Sequence, residues 1–192
     1  VIRIGLENHG QNPAFLVKDK PGEPFRGISF RQFAEDIDAL GTALCALGLQ
    51  GTKIAIIGEN SYPWVVAYFA VSNGTGVVVP LDRDLMPREV ANLAGVAEIS
   101  AIVYDSKHKP AADAVASALP GLQAAVDMDL AADGDGRLSF EGLLAEGRRL
   151  LAEGNRTFTD APIDPQALCT ILFTSGTTGL AKGVMLSQVN LV

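Results

Sequence analysis

Short apolar runs recur along the chain, at residues 53–57, 76–80, 101–104 and 124–126, with stretches of mixed character between them. Each run is long enough for a strand and too short for a helix, and none alternates strictly, which predicts strands buried on both faces. In the intervening stretches apolar residues return every third or fourth position. That spacing predicts a helix over about 63–72, with Pro63 near its first turn, and another from Pro87 that presents Val90, Leu93, Ala94 and Ala97. A third is predicted over 111–119, ended by Pro120-Gly121. Strand centres fall about 23 residues apart, the length of a strand, a crossover helix and two turns. The rhythm predicts an α/β fold of three layers: a mostly parallel sheet with helices on both faces.

The flanks read differently. Residues 14–17 and 25–29, separated by a Pro/Gly-rich stretch, predict an antiparallel hairpin. Ser29 then caps a helix, with Gln32 placed to complete a capping box. Phe30, Phe33, Ala34, Ile37, Leu40, Leu44 and Leu47 share one face of it, and Gly48 stops it. A further helix is expected over 140–153, capped by Ser139, with Phe140, Leu143, Leu144, Leu150 and Leu151 inward and Gly154 beyond its end. Residues 155–165 carry two prolines and read as an extended linker. Two apolar strands follow, 167–173 and 184–186, with Ser187 as a cap after the second. The expected organisation is one α/β subdomain over 1–154, and over 155–192 a linker plus two strands that begin a further, truncated subdomain. The chain starts at Val1 and stops just after a helix is expected to begin, so it reads as an N-terminal fragment.

Composition narrows the function classes. Apolar residues make up 48% and charged ones 19%, which excludes a disordered segment. A net charge of −7 argues against nucleic acid or an anionic membrane as the main partner, while leaving room for a local basic pocket. Cys45 and Cys169 both stand in apolar surroundings and read as buried free thiols of a cytoplasmic protein. No stretch approaches the ~20 apolar residues of a membrane helix, so any membrane association is expected to be peripheral.

The densest chemistry lies at residues 174–183: Thr174-Ser175-Gly176-Thr177-Thr178-Gly179-Leu180-Ala181-Lys182-Gly183. Glycines let successive backbone N–H groups turn into one concavity, and such a nest binds anions. Four hydroxyls add donors and Lys182 adds a positive charge suited to phosphate oxygens. A solvated polar hairpin is the competing reading. The stretch is not a Walker loop, because Ala181 precedes the lysine, Gly183 follows it, and a strand comes next.

Together with Phe173 and Val184, these residues closely resemble the phosphate-loop signature of the adenylate-forming (AMP-binding) superfamily, (Tyr/Phe)-Thr-Ser-Gly-Thr-Thr-Gly-x-Pro-Lys-Gly-Val. Ala181 replaces the usual proline, which loosens the loop by about 0.4–1 kcal/mol through chain entropy and leaves the donors in place. The resemblance implies an ATP phosphate-binding role for Thr174, Ser175, Gly176, Thr177, Thr178, Gly179 and Lys182. It also implies ATP, Mg2+ and coenzyme A as cofactors and a small carboxylic acid as substrate. The acid attacks the α-phosphate to give an acyl-adenylate, and the CoA thiol displaces AMP. Within the superfamily the segments 61–64 and 77–82 and the long helix before the linker look most like long-chain fatty acyl-CoA synthetases. An adenylation domain that loads an amino or aryl acid onto a carrier protein is the alternative, and a non-catalytic α/β module, one that packs against a partner or a second copy, is another. No catalytic residue is expected within 1–192, so the chain alone should not turn over.

Other groups read as structural. Asp133-Gly134-Asp135-Gly136 has the flavour of an EF-hand, but its first and twelfth positions would be Ala131 and Gly142, so the strongest calcium ligands are missing. Gly74-Thr75-Gly76 leads into a strand and reads as a turn. His9 and His108 are expected at the surface, and Asp82 and Asp84 as loop-capping carboxylates.

Overall fold

The protein's computed structural model describes residues 2–18, 22–174 and 182–191. The four runs read as strands form the middle of a sheet: β3 (Thr52–Ile57), β4 (Gly76–Pro80), β5 (Ala101–Tyr104) and β6 (Ala124–Asp127). Their side chains alternate between two cores, as the pleat requires. Ile54, Ile56, Val78, Ala101, Val103 and Val126 enter one core, and Ala55, Ile57, Val79, Ile102 and Tyr104 the other. The first is covered by α2 (Phe30–Ala46), α3 (Tyr62–Ala70) and α6 (Phe140–Ala152), the second by α4 (Pro87–Ala97) and α5 (Lys109–Ala118). The three-layer α/β architecture expected from the rhythm is therefore present.

Among the described residues the sheet has seven strands in the order β7-β6-β5-β3-β4-β8-β9, with β7 (Leu138–Ser139), β8 (Leu168–Thr174) and β9 (Lys182–Ser187). All neighbours run parallel except β8 and β9. The chain leaves β3 toward β4, then returns to the other side of β3 to form β5. Connections depart to opposite faces there, and such a switch opens a crevice beyond the carboxyl ends of the strands. β8 joins beside β4 through Val78 and Thr170, so the two strands after residue 154 extend this same sheet.

Upstream, α1 (Ile2–His9) precedes the hairpin of β1 (Pro13–Val17) and β2 (Arg26–Ser29). Phe15 from the hairpin packs edge-on against Phe33 at 4.9 Å and Tyr62 at 5.5 Å, tying it to α2 and α3. The Ser29 hydroxyl accepts from the Gln32 amide as expected, but the Gln32 side chain donates to Asp36 at 2.9 Å, so the capping box is only half made. Asp36 is the stronger attraction because it is a buried carboxylate, also bonded to Tyr62 at 2.7 Å and Arg148 at 2.5 Å. One carboxylate thus links α2, α3 and α6. Burial, then the bond to Asp36, pushes the Tyr62 phenol well above its ordinary pKa.

Two close approaches require glycine. A Cβ on Gly147 would stand 1.8 Å from the Ala39 carbonyl oxygen, so α6 lies against α2 backbone to backbone. A Cβ on Gly41 would stand 2.3 Å from the Phe158 ring. Phe158 corrects the reading of 155–165 as simply extended. The segment makes a turn, with Asp160 N donating to Arg156 O at 2.9 Å, and drives Phe158 (4% exposed) into the first core. A lone aromatic among polar and proline residues has no periodicity to betray its burial. No helix among the described residues is long and apolar enough to cross a membrane.

Candidate functional site

β8 is an apolar strand whose middle is buried and whose last residue, Thr174, is exposed at the carboxyl edge of the sheet. β9 returns beside it, with Phe173 opposite Gly183 and Thr174 opposite Lys182. Gly183 suits its place because a Cβ there would come within 3.0 Å of Ile171 and 3.6 Å of the Phe173 ring. The structure therefore brings together two of the residues expected to grip phosphate, Thr174 and Lys182, as cross-strand partners. Ser175, Gly176, Thr177, Thr178 and Gly179 lie outside the described residues. The Lys182 side chain is exposed and has no ion-pair partner among the described residues.

The same edge of the sheet carries a polar cluster that sequence reasoning missed. Asp105 follows β5, and its carboxylate accepts from the Glu59 amide at 2.7 Å, the His108 amide at 3.0 Å and His108 Nδ1 at 2.5 Å. His108 Nε2 lies 3.1 Å from the Arg83 carbonyl oxygen. The imidazole thus joins the turns after β4 and β5, and the Asp105 carboxylate those after β3 and β5. Gly58 leaves room for this, since a Cβ there would stand 3.0 Å from Asp105 Oδ2. Burial acts to raise the Asp105 carboxyl, but the Glu59 amide and the His108 contacts outweigh it and hold it below the ordinary value. His108 is therefore buried, not a surface residue as expected; Asp-x-x-His, the spacing of an N-cap, was the available signal. His9 is exposed, as read.

Outside this buried pair, Glu59 bonds Arg83 at 2.5 Å and also pairs with Lys107. The Lys107 ammonium, then Arg83, holds the Glu59 carboxyl below its usual range. Asp82 Oδ1 accepts from the Asp84 amide at 3.0 Å, the turn-capping role expected of it. Asp133 accepts from the Ser139 amide at 2.7 Å and so steadies the start of α6. Cys45 and Cys169 are free; burial pushes both thiols upward.

On the α2–α3 side of β8 lies a half-open groove of about 630 Å³, lined by Leu6, Ile37, Phe69, Phe158, Ile163 and Leu191 among others.

The sequence matches the family described as AMP-binding enzyme over residues 5–192. The chain belongs to the AMP-binding enzyme family. Its relatives within that family include long-chain-fatty-acid–CoA ligase 6 of Mus musculus, 28% identical over 202 residues, covering 100% of this chain and 29% of that protein. Long-chain-fatty-acid–CoA ligase 1 of Homo sapiens is 31% identical over 199 residues, covering 98% and 28%. The long-chain-fatty-acid–CoA ligase of Thermus thermophilus is 33% identical over 150 residues, covering 78% and 26%. The chain thus spans less than a third of the length of these relatives. The crystal structure of the anthranilate CoA ligase AuaEII with anthranoyl-AMP superposes with a TM-score of 0.81 at 21% identity, over 97% of this chain and 34% of that one. The adenylation domain of a carboxylate reductase from Mycobacterium chelonae gives 0.80 at 24%, over 99% and 34%. At such identities these neighbours show the AMP-binding fold and no more.

Proposed function

We propose that this AMP-binding chain supplies the ATP phosphate grip of an acid–CoA ligase that activates long-chain fatty acids. The observation that carries the reading is the pairing of Thr174 with Lys182 at the carboxyl edge of a parallel sheet, at the two ends of the glycine- and hydroxyl-rich stretch. In this reading Thr174, Ser175, Thr177, Thr178 and Lys182, with the amides of Gly176 and Gly179, bind the β- and γ-phosphates while a carboxylate attacks the α-phosphate. Charge builds on the departing pyrophosphate, and hydrogen-bond donors that meet it there lower the barrier. CoA then takes the acyl group from AMP. Mg2+ enters as MgATP; no cluster of three or more His, Cys, Asp or Glu side chains suited to a metal occurs among the described residues, and we assign no ligand to it here.

The long-chain assignment rests on relatives aligned over the whole chain. An adenylation domain that loads an amino or aryl acid onto a carrier protein is the second reading, because the fold, shared with both an anthranilate CoA ligase and the adenylation domain of a carboxylate reductase, does not separate the two. ATP–pyrophosphate exchange in the longest protein that carries this chain separates them. Exchange that depends on a long-chain fatty acid supports the first reading; exchange that depends only on an aryl or amino acid supports the second. We assign no catalytic residue to the chain, so alone it should give no exchange, and measurable exchange would overturn that part.

A further inference from the structure

Among the described residues β9 is an edge strand of the sheet, and its residues from Lys182 to Met185 are exposed. It lacks the two-sided burial that fixes the register of β3, β4 and β5. Seven residues separate it from β8 in the sequence. A slip of one residue would carry Lys182 to the opposite face of the sheet. Among the described residues a second hold stands beside the ladder with β8.

The hold comes from the tail of β9. Gln188 Nε2 donates to the Ser72 carbonyl oxygen at 2.8 Å, across 116 positions of sequence. Beside it, Val189 N donates to Pro165 O at 3.2 Å, and Asn190 accepts from the Ser187 amide at 2.9 Å. Ser72 belongs to a π-helical turn, Val71–Thr75, that ends α3, where carbonyls lack helical donors of their own. That turn lies against the Phe158 segment. Gly74 takes a φ of +153° that suits glycine, and a Cβ there would meet the Phe158 ring at 3.3 Å.

We propose that Gln188 is a positioning residue, which by clasping the Ser72 carbonyl pins the register of β9 on β8 and so holds Lys182 opposite Thr174. The inference rests on the phosphate-binding reading of Lys182 and adds to it the device that aims that lysine. Gln188→Glu keeps the length and removes the donor; Gln188→Lys keeps a donor. Two readouts are needed: amide hydrogen exchange of β9 against β3, and the dissociation constants of MgATP and AMP.

In Gln188→Glu the β9 amides should exchange at least about tenfold faster with β3 unchanged, and MgATP should bind about three- to tenfold more weakly with AMP unaffected. Gln188→Lys should restore both. Unchanged β9 exchange overturns the proposal. So does equal loosening of β3, which would make Gln188 a residue of general stability, and so does faster β9 exchange with ATP binding intact. Lys182→Ala is the control. If it leaves ATP binding intact, the phosphate-binding reading falls, and the exchange data still decide whether Gln188 pins the strand.

Discussion

Truncating Phe158 to alanine tests how the segment between α6 and β8 is held. The ring is 4% exposed, lies in the core shared by α2, α3 and α6, and faces Gly41 and Gly74, glycines whose missing side chains make its space. Gly41 and Gly74 present only backbone to the ring, so on those sides no side chain can collapse into the void. Loss of transfer energy and an unrelaxed cavity together put the cost at about 3–5 kcal/mol. For a chain of this size 1 kcal/mol moves the melting temperature by about 2–4 °C, so the variant should melt about 6–20 °C lower. Urea unfolding followed by circular dichroism gives the free energy, and the slope should stay constant because the same surface is exposed. A cost below about 1 kcal/mol would refute the reasoning and return residues 155–165 to the status of a surface tether.

Gly147→Ala sets two effects against each other: alanine favours the helix by about 1 kcal/mol, yet its Cβ would stand 1.8 Å from the Ala39 carbonyl oxygen. The clash should win, with a net loss of about 2 kcal/mol or more in chemical denaturation, and a gain in stability would contradict the packing of α6 on α2. Asp105→Asn should alter the acid limb of stability. The folded carboxyl lies below its ordinary value, so its contribution is complete above the unfolded value and is lost as pH falls through the folded one. Unfolding free energies between about pH 6 and pH 2 should therefore fall less steeply for the variant than for the parent chain, and parallel profiles would count against it.

The layers and the central strands were legible because each buried strand is a run of apolar residues and each helix repeats its own period. α4 starts at Pro87 and buries Val90, Leu93, Ala94 and Ala97, as the spacing requires. What stayed hidden depends on contacts distant in sequence. β7 is two residues long, too short for any pattern. Phe158 is buried by glycines in other elements, and His108 by a carbonyl from the turn after β4. Gln188 meets Ser72 only because β8 returns beside β4. Of the expected phosphate site, the residue types were readable at once; that Thr174 and Lys182 stand opposite one another came from the strand register alone.

The central claim is that the end of β8 and the start of β9 hold the phosphate tail of a nucleotide. Calorimetric titration of MgATP and of AMP into the longest protein that carries this chain and its Lys182→Ala variant tests it most directly. A charge-assisted hydrogen bond of about 1.5–3 kcal/mol predicts ATP binding weakened about 10- to 150-fold with AMP binding unchanged. Equal loss for both nucleotides, or no loss for either, would contradict the account.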